Sequence, residues 1–148
     1  MPSAARWVRS AAHDCDQEIH VPKEIVFTEN APAPLGGAPY NQAVKAGGLV
    51  FLAGQIPMDP ATGALVPGGI TEQTNQCFDN VAAILEAAGS DLSKIVRAQV
   101  YMADLGDFAA MNAVYATRMP EPFPARSTFQ VAALPAGAIV EIEVVATA

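Results

Sequence analysis

The order of periodic segments predicts an α+β domain with two helices packed on one face of a sheet. Three observations carry that prediction. A hairpin pattern fills residues 42–53, two stretches of helical spacing flank a strand between residues 71 and 119, and the chain closes on two strands of alternating polarity.

Residues 1–22 carry neither period and are expected to form a disordered N-terminal extension ahead of a single domain spanning 23–148. Arg6 and Arg9 sit among serines and alanines with no acid before Asp14, a weak transit-segment pattern that Asp14, Asp16 and Glu18 then break. Glu24–Thr28 reads as a short strand. Ala31–Pro39 reads as a loop, because its prolines cannot donate to a ladder. Gln42–Lys45 and Leu49–Ala53 flank Ala46-Gly47-Gly48 as a hairpin. Gly54-Gln55-Ile56-Pro57 then leaves the sheet, and the Gly- and Pro-rich segment Asp59–Gly69 reads as a second loop.

The first helix is predicted from Thr71 to Ala88, where Cys77, Val81, Ile84, Leu85 and Ala88 recur at helical spacing. Thr71 is its expected N-cap, Glu72 suits the positive end of the dipole, and Gly89 supplies the left-handed residue that ends it. Cys77 on that stripe packs as a small hydrophobe. Lys94–Met102 is a strand with Ile95, Ala98, Val100 and Met102 on its apolar side. Asp107 caps a second helix with Phe108, Met111, Val114 and Tyr115 facing inward, and Pro120 and Pro122 stop it.

Two strands close the chain. Val140, Ile142 and Val144 share one side of the last, which is core, while Glu141 and Glu143 share the other. On the strand before it, Arg126, Thr128 and Gln130 stand together, opposite Ser127, Phe129 and Val131. One arginine and one carboxylate are thus placed on strand faces where a small anionic substrate could sit between them. By spacing alone, Arg126 serves equally well as an ion-pair partner of Glu141 or Glu143. Two helices cover only one side of such a sheet, so the other is expected to pack on another subunit of a homo-oligomer.

Composition narrows the function. A chain of 148 residues that is 51% hydrophobic has material for one core and one domain. With 8 Lys and Arg against 15 Asp and Glu, a net charge of −7 and no basic run, it is not expected to bind nucleic acid. No apolar stretch nears the roughly 20 residues that span a bilayer, so no membrane partner is expected, and a cytoplasmic location is. Cys15 and Cys77 are too few for a disulfide framework. His13, Cys15 and His20 offer three metal ligands without a fourth, so no metal site is expected.

Several strings carry a family likeness: Gly37-Ala-Pro-Tyr40-Asn-Gln-Ala43-Val44, Leu52-Ala-Gly54-Gln55-Ile56-Pro57, Phe123-Pro-Ala-Arg126-Ser-Thr128, and Ala132-Ala-Leu-Pro135 through Glu141-Ile-Glu143. In this order, from about Glu24 to Ala148, the chain resembles the RidA (YjgF) family. The resemblance implies a chorismate-mutase-like α+β fold with a mixed sheet, in which the last two strands need not pair. It also implies a homotrimer with sites in the clefts between subunits, and hydrolysis of reactive enamine and imine intermediates without a cofactor.

It implies roles for six residues. Arg126 binds the substrate carboxylate with a planar fork of donors, and Glu141 places a water or moves its proton, Glu143 being a solvated strand acid. Tyr40 leans over the pocket, where its bare alternative is a loop aromatic plugging the core. Asn112 shapes the site. Gly54 either lets backbone approach the ligand or is a plain turn glycine. Thr128 stands where many relatives have cysteine, so a hydroxyl replaces a thiol on that strand face. The substrates implied are 2-iminobutanoate and 2-iminopropanoate, hydrolysed to 2-oxo acids and ammonia. A noncatalytic trimer that senses small carboxylates would need Arg126 but not Glu141. RNA cleavage or translation inhibition fits the acidic chain poorly.

Overall fold

The computed structural model describes residues 22–148. The extension expected over residues 1–22, with His13, Cys15 and His20, lies outside the described residues except for Pro22. Along the chain follow β1 (Glu24–Val26), β2 (Ala43–Ala46), β3 (Leu49–Leu52), β4 (Met58–Asp59), β5 (Ala64–Leu65), α1 (Ile70–Ala87), β6 (Ile95–Met102), α2 (Phe108–Arg118), β7 (Ala125–Gln130) and β8 (Val140–Thr147). Six strands form one sheet in the order β1-β2-β3-β8-β6-β7. All its pairings are antiparallel except β6 with β7, which run parallel because α2 returns the chain between them. The sheet is mixed, and β7 and β8 do not pair: β8 lies between β3 and β6, and β7 is an edge.

Directly paired residues share a face. Ala98, Val100 and Met102 of β6 pair with Val144, Ile142 and Val140 of β8, and all six are buried under the helices. Cys77, Phe78, Val81, Ile84 and Leu85 of α1 join them in the core. Burial of a large aliphatic side chain stabilises by about 1.5–3 kcal/mol. A one-residue slip of β8 would lose all of these and turn Glu141 and Glu143 inward, so the register is strongly determined. The face away from the helices carries Gln99, Tyr101, Glu141 and Glu143, with Ile25, Phe51 and Phe129 left exposed.

Several boundaries differ from the sequence reading. The first strand ends at Val26, because beyond it Thr28 turns its N–H and C=O to the Gln42 side chain. Gln55 does not leave the sheet: it exchanges both backbone bonds with Ile142, at 2.8 and 3.0 Å, one register step off the Phe51–Val145 pair. Within the expected loop Asp59–Gly69, β4 and β5 form a small hairpin around Gly63, whose φ of 67° suits glycine. The N-cap of α1 is Gly69 rather than Thr71, since the Glu72 carboxylate reaches back to accept from the Gly69 N–H at 2.8 Å. Gly89 ends that helix in the left-handed conformation, as expected. Of the four residues predicted to face inward on α2, Met111, Val114 and Tyr115 are buried, whereas Phe108 is 37% exposed.

Gln42 is buried and ties the loop before β2 to the sheet. Its Oε1 accepts from Thr28 N at 2.7 Å, and its Nε2 lies 2.9–3.0 Å from the carbonyls of Thr28, Ala31 and Pro32. Gln42→Ala leaves those groups without partners and is expected to destabilise the fold by about 2–4 kcal/mol. Urea unfolding at fixed protein concentration checks this, and an unchanged midpoint contradicts it.

Candidate active site

The six residues expected to form the site fall into two groups. Glu141, Gly54 and Tyr40 line a cleft of about 430 Å³ together with Gln42, Gln55 and Ile56. Arg126 and Asn112 line another, of about 500 Å³, with Tyr115, Phe123 and Pro124, and Thr128 goes with them as the next residue on the Arg126 face of β7 without lining the cleft itself.

Strand register sets the division. Arg126 pairs with Ala98, on the helix-covered face, whereas Glu141 pairs with Tyr101 on the opposite face. They also lie two strands apart in the sheet and three residues apart along β6, so their Cα atoms are about 14 Å apart. One chain therefore does not bring the arginine and the carboxylate together, contrary to the simplest reading of the alternating strands. Nor do they form an ion pair. The ion pairs among the described residues are Lys45–Glu24 and Arg118–Asp79, which leave Arg126 without a carboxylate partner.

Arg126 rests instead on aromatic faces. Its Cζ is 4.4 Å from the centroid of the Tyr115 ring and 5.7 Å from that of Phe108. Phe108, read as a core residue, thus stands at the rim of the arginine cleft. Thr128 follows on the same strand face, and its hydroxyl oxygen is buried without a hydrogen-bond partner among the described residues. The Tyr115 hydroxyl is in the same condition, and burial raises its pKa while the Arg126 charge opposes the rise.

In the other cleft, the Glu141 carboxylate occupies the space that a side chain at Gly54 would fill. A Cβ there would lie 2.8 Å from Cδ of Glu141. The glycine makes room for the acid, a role neither reading of the sequence anticipated. Burial first, and then the charge of Glu143, raise the Glu141 pKa above the ordinary carboxylate value. Glu143 accepts a hydrogen bond from Tyr101 Oη at 3.1 Å, and Tyr101 in turn accepts from Gln99 Nε2 at 3.0 Å. The Tyr40 hydroxyl accepts from Leu35 N–H at 2.9 Å, so its own proton stays available to a ligand. Cys77 is buried, and desolvation raises its pKa far above the usual thiol range.

Sequence reasoning missed Gln42, whose clamp shapes the Glu141 cleft, because a lone glutamine in a strand carries no signal. It read Tyr115 as core alone, since the helical spacing that buries the ring does not show what lies on its face. Among the described residues no group of three or more His, Cys, Asp or Glu side chains is placed to hold a metal ion. No described helix is long and apolar enough to cross a membrane.

A small α+β domain with two clefts on opposite faces of one sheet, one holding an arginine and the other a carboxylate, defines the class of protein. Residues 28–148 match the Endoribonuclease L-PSP family, and the chain belongs to it. The likeness to RidA proteins read from the sequence is the same relationship. The chain is 50% identical over 127 residues to Reactive Intermediate Deaminase A, chloroplastic, of Arabidopsis thaliana, covering 86% of this chain and 67% of the relative. It is 48% identical over 124 residues to the 2-iminobutanoate/2-iminopropanoate deaminase of Capra hircus, covering 84% and 89%. The crystal structure of RidA from an Antarctic Psychrobacter superposes with a TM-score of 0.80 at 44% identity, covering 84% of this chain and 99% of that one.

The electrostatics of the acidic cleft give a prediction. Glu143→Gln removes the weaker cause of the Glu141 shift and leaves burial, so the Glu141 pKa is expected to fall while staying above the ordinary carboxylate value. Carboxyl-carbon NMR titration measures it, and an unmoved or raised Glu141 pKa contradicts this account.

Proposed function

We propose that this chain hydrolyses small 2-imino acids and their enamine tautomers to 2-oxo acids and ammonia, without a cofactor, at sites built between the subunits of a homotrimer. The observation that carries the reading is an arginine held on aromatic faces in a concave site, with no acid paired to it among the described residues. Its guanidinium is a vacant fork for a planar carboxylate. The name of the goat relative supplies the substrate class.

Because the two clefts lie on opposite faces, a complete site takes Arg126 and Asn112 from one subunit, with the covered Thr128 behind Arg126 on the same strand face, and Glu141, Gly54 and Tyr40 from its neighbour. The exposed Ile25, Phe51 and Phe129 on the open face favour burial against other copies. Arg126 anchors the carboxylate and so fixes the C=N carbon. Ionised Glu141 takes a proton from water as the oxygen adds to that carbon of the protonated imine, giving a neutral carbinolamine. Protonated Glu141 then returns the proton to the amino nitrogen; the C–N bond breaks, and the carbinolamine hydroxyl gives its proton to the now ionised Glu141, from which the departing ammonia takes it as ammonium, leaving the 2-oxo acid. A carboxyl with a raised pKa serves both half-steps better than an ordinary one. The imine is already electrophilic, so orientation supplies much of what is needed. The descriptive name of the family refers to RNA cleavage, but a net charge of −7 offers no cationic track for a polynucleotide.

The test generates 2-imino acids in situ from several amino acids and follows their conversion to 2-oxo acids. Arg126→Ala is expected to lose most turnover while remaining folded. Glu141→Gln is expected to lower turnover by about 10²-fold or more with less effect on ligand binding. Wild-type activity falls on the acid side as Glu141 is protonated, and that limb lies above the ordinary carboxylate pKa. Equal loss of binding and turnover in Glu141→Gln contradicts the proton-transfer role and favours a carboxylate-binding protein.

A further inference from the structure

We infer that Tyr115 is the positioning residue of Arg126: its ring is the platform that holds the guanidinium in place for a ligand carboxylate. This rests on the functional reading above and assigns a role to a residue that helical spacing explains as core. Tyr115 is buried, and its ring packs edge-on against Phe78 at 5.6 Å, so the platform is itself immobilised. The guanidinium carbon lies 4.4 Å from the ring centroid, well inside the range of about 6 Å over which an aromatic quadrupole attracts a cation. Phe108, more exposed and 5.7 Å away, is a weaker second contact.

The geometry answers a problem of chemistry. An arginine must stay ordered to recognise a carboxylate, yet a carboxylate of its own would order it by occupying the donors the ligand needs. A ring beneath the cation orders it through a face and consumes no N–H, leaving the planar fork unspent. The Tyr115 oxygen is not part of this. It is covered and has no partner among the described residues, so a ligand in the cleft does not reach it, and phenylalanine preserves everything the role requires.

The test measures 2-oxobutanoate binding by calorimetry, together with KM and kcat for a 2-imino acid. Tyr115→Phe is expected to stay within about twofold of wild type in all three. Tyr115→Leu is expected to weaken 2-oxobutanoate binding and raise KM by about tenfold, with kcat little changed. Should leucine disrupt folding, phenylalanines bearing one, two and three ring fluorines at position 115 keep the shape and progressively weaken the quadrupole, and Kd is expected to rise with each. A folded Tyr115→Leu or fluorinated series with unchanged Kd overturns the positioning role, as does a Tyr115→Phe as impaired as Tyr115→Leu. A wild-type chain that neither binds 2-oxobutanoate nor hydrolyses imino acids overturns the functional reading itself, and this inference with it.

Discussion

The strict alternation of the central strand β8 is the constraint from which the rest follows. Val140, Ile142, Val144 and Ala146 are buried under α1, and that row locks the strand against its neighbours on both sides. Once it is locked, Glu141 and Glu143 have no choice of face. The same register, carried through β6 to β7, turns Arg126 to the side that Glu141 does not share. Core packing, with no catalytic role of its own, thereby separates the two groups that the proposed chemistry joins. On the proposed reading each face of the sheet bears half of a site, and the oligomer is part of the active site.

Each half is prepared for its task without satisfying it internally. Arg126 is ordered by aromatic rings rather than by an acid, and a cation–π contact, about 0.5–2 kcal/mol, is weak enough to coexist with a charge-assisted bond to an incoming carboxylate. Glu141 is kept half-buried beside Glu143, in a space open only because residue 54 is glycine. Gln42 braces the loop that bears part of the wall. These arrangements store binding capacity in the free chain, and packing elsewhere sustains their cost.

Long periodic segments made most of the fold legible before the structure. The stripe from Cys77 to Ala88, the alternation in β8 and the Ala46-Gly47-Gly48 turn each give a signal several residues long. What was missed spans no more than one period: β4 and β5 have two residues each, too few to alternate visibly. The cap of α1 was misplaced because a threonine at position 71 competes on paper with a glycine whose partner, Glu72, lies three residues on. The members of the site were named from the motif strings, but their division was not, because alternation along one strand says nothing about which way a neighbouring strand is turned. That depends on β7 pairing parallel to β6, a long-range fact.

The central claim is that Arg126 and Glu141 act together from different chains, and subunit mixing tests it most directly. Arg126→Ala and Glu141→Gln chains are co-expressed in equal amounts, purified as mixed oligomers and assayed on 2-imino acids beside each parent. Random assembly then pairs an intact Arg126 with an intact Glu141 of its neighbour in about a quarter of the sites, so the mixture regains about that share of wild-type activity. A mixture as inactive as its parents would place both residues in a site within one chain and contradict the account.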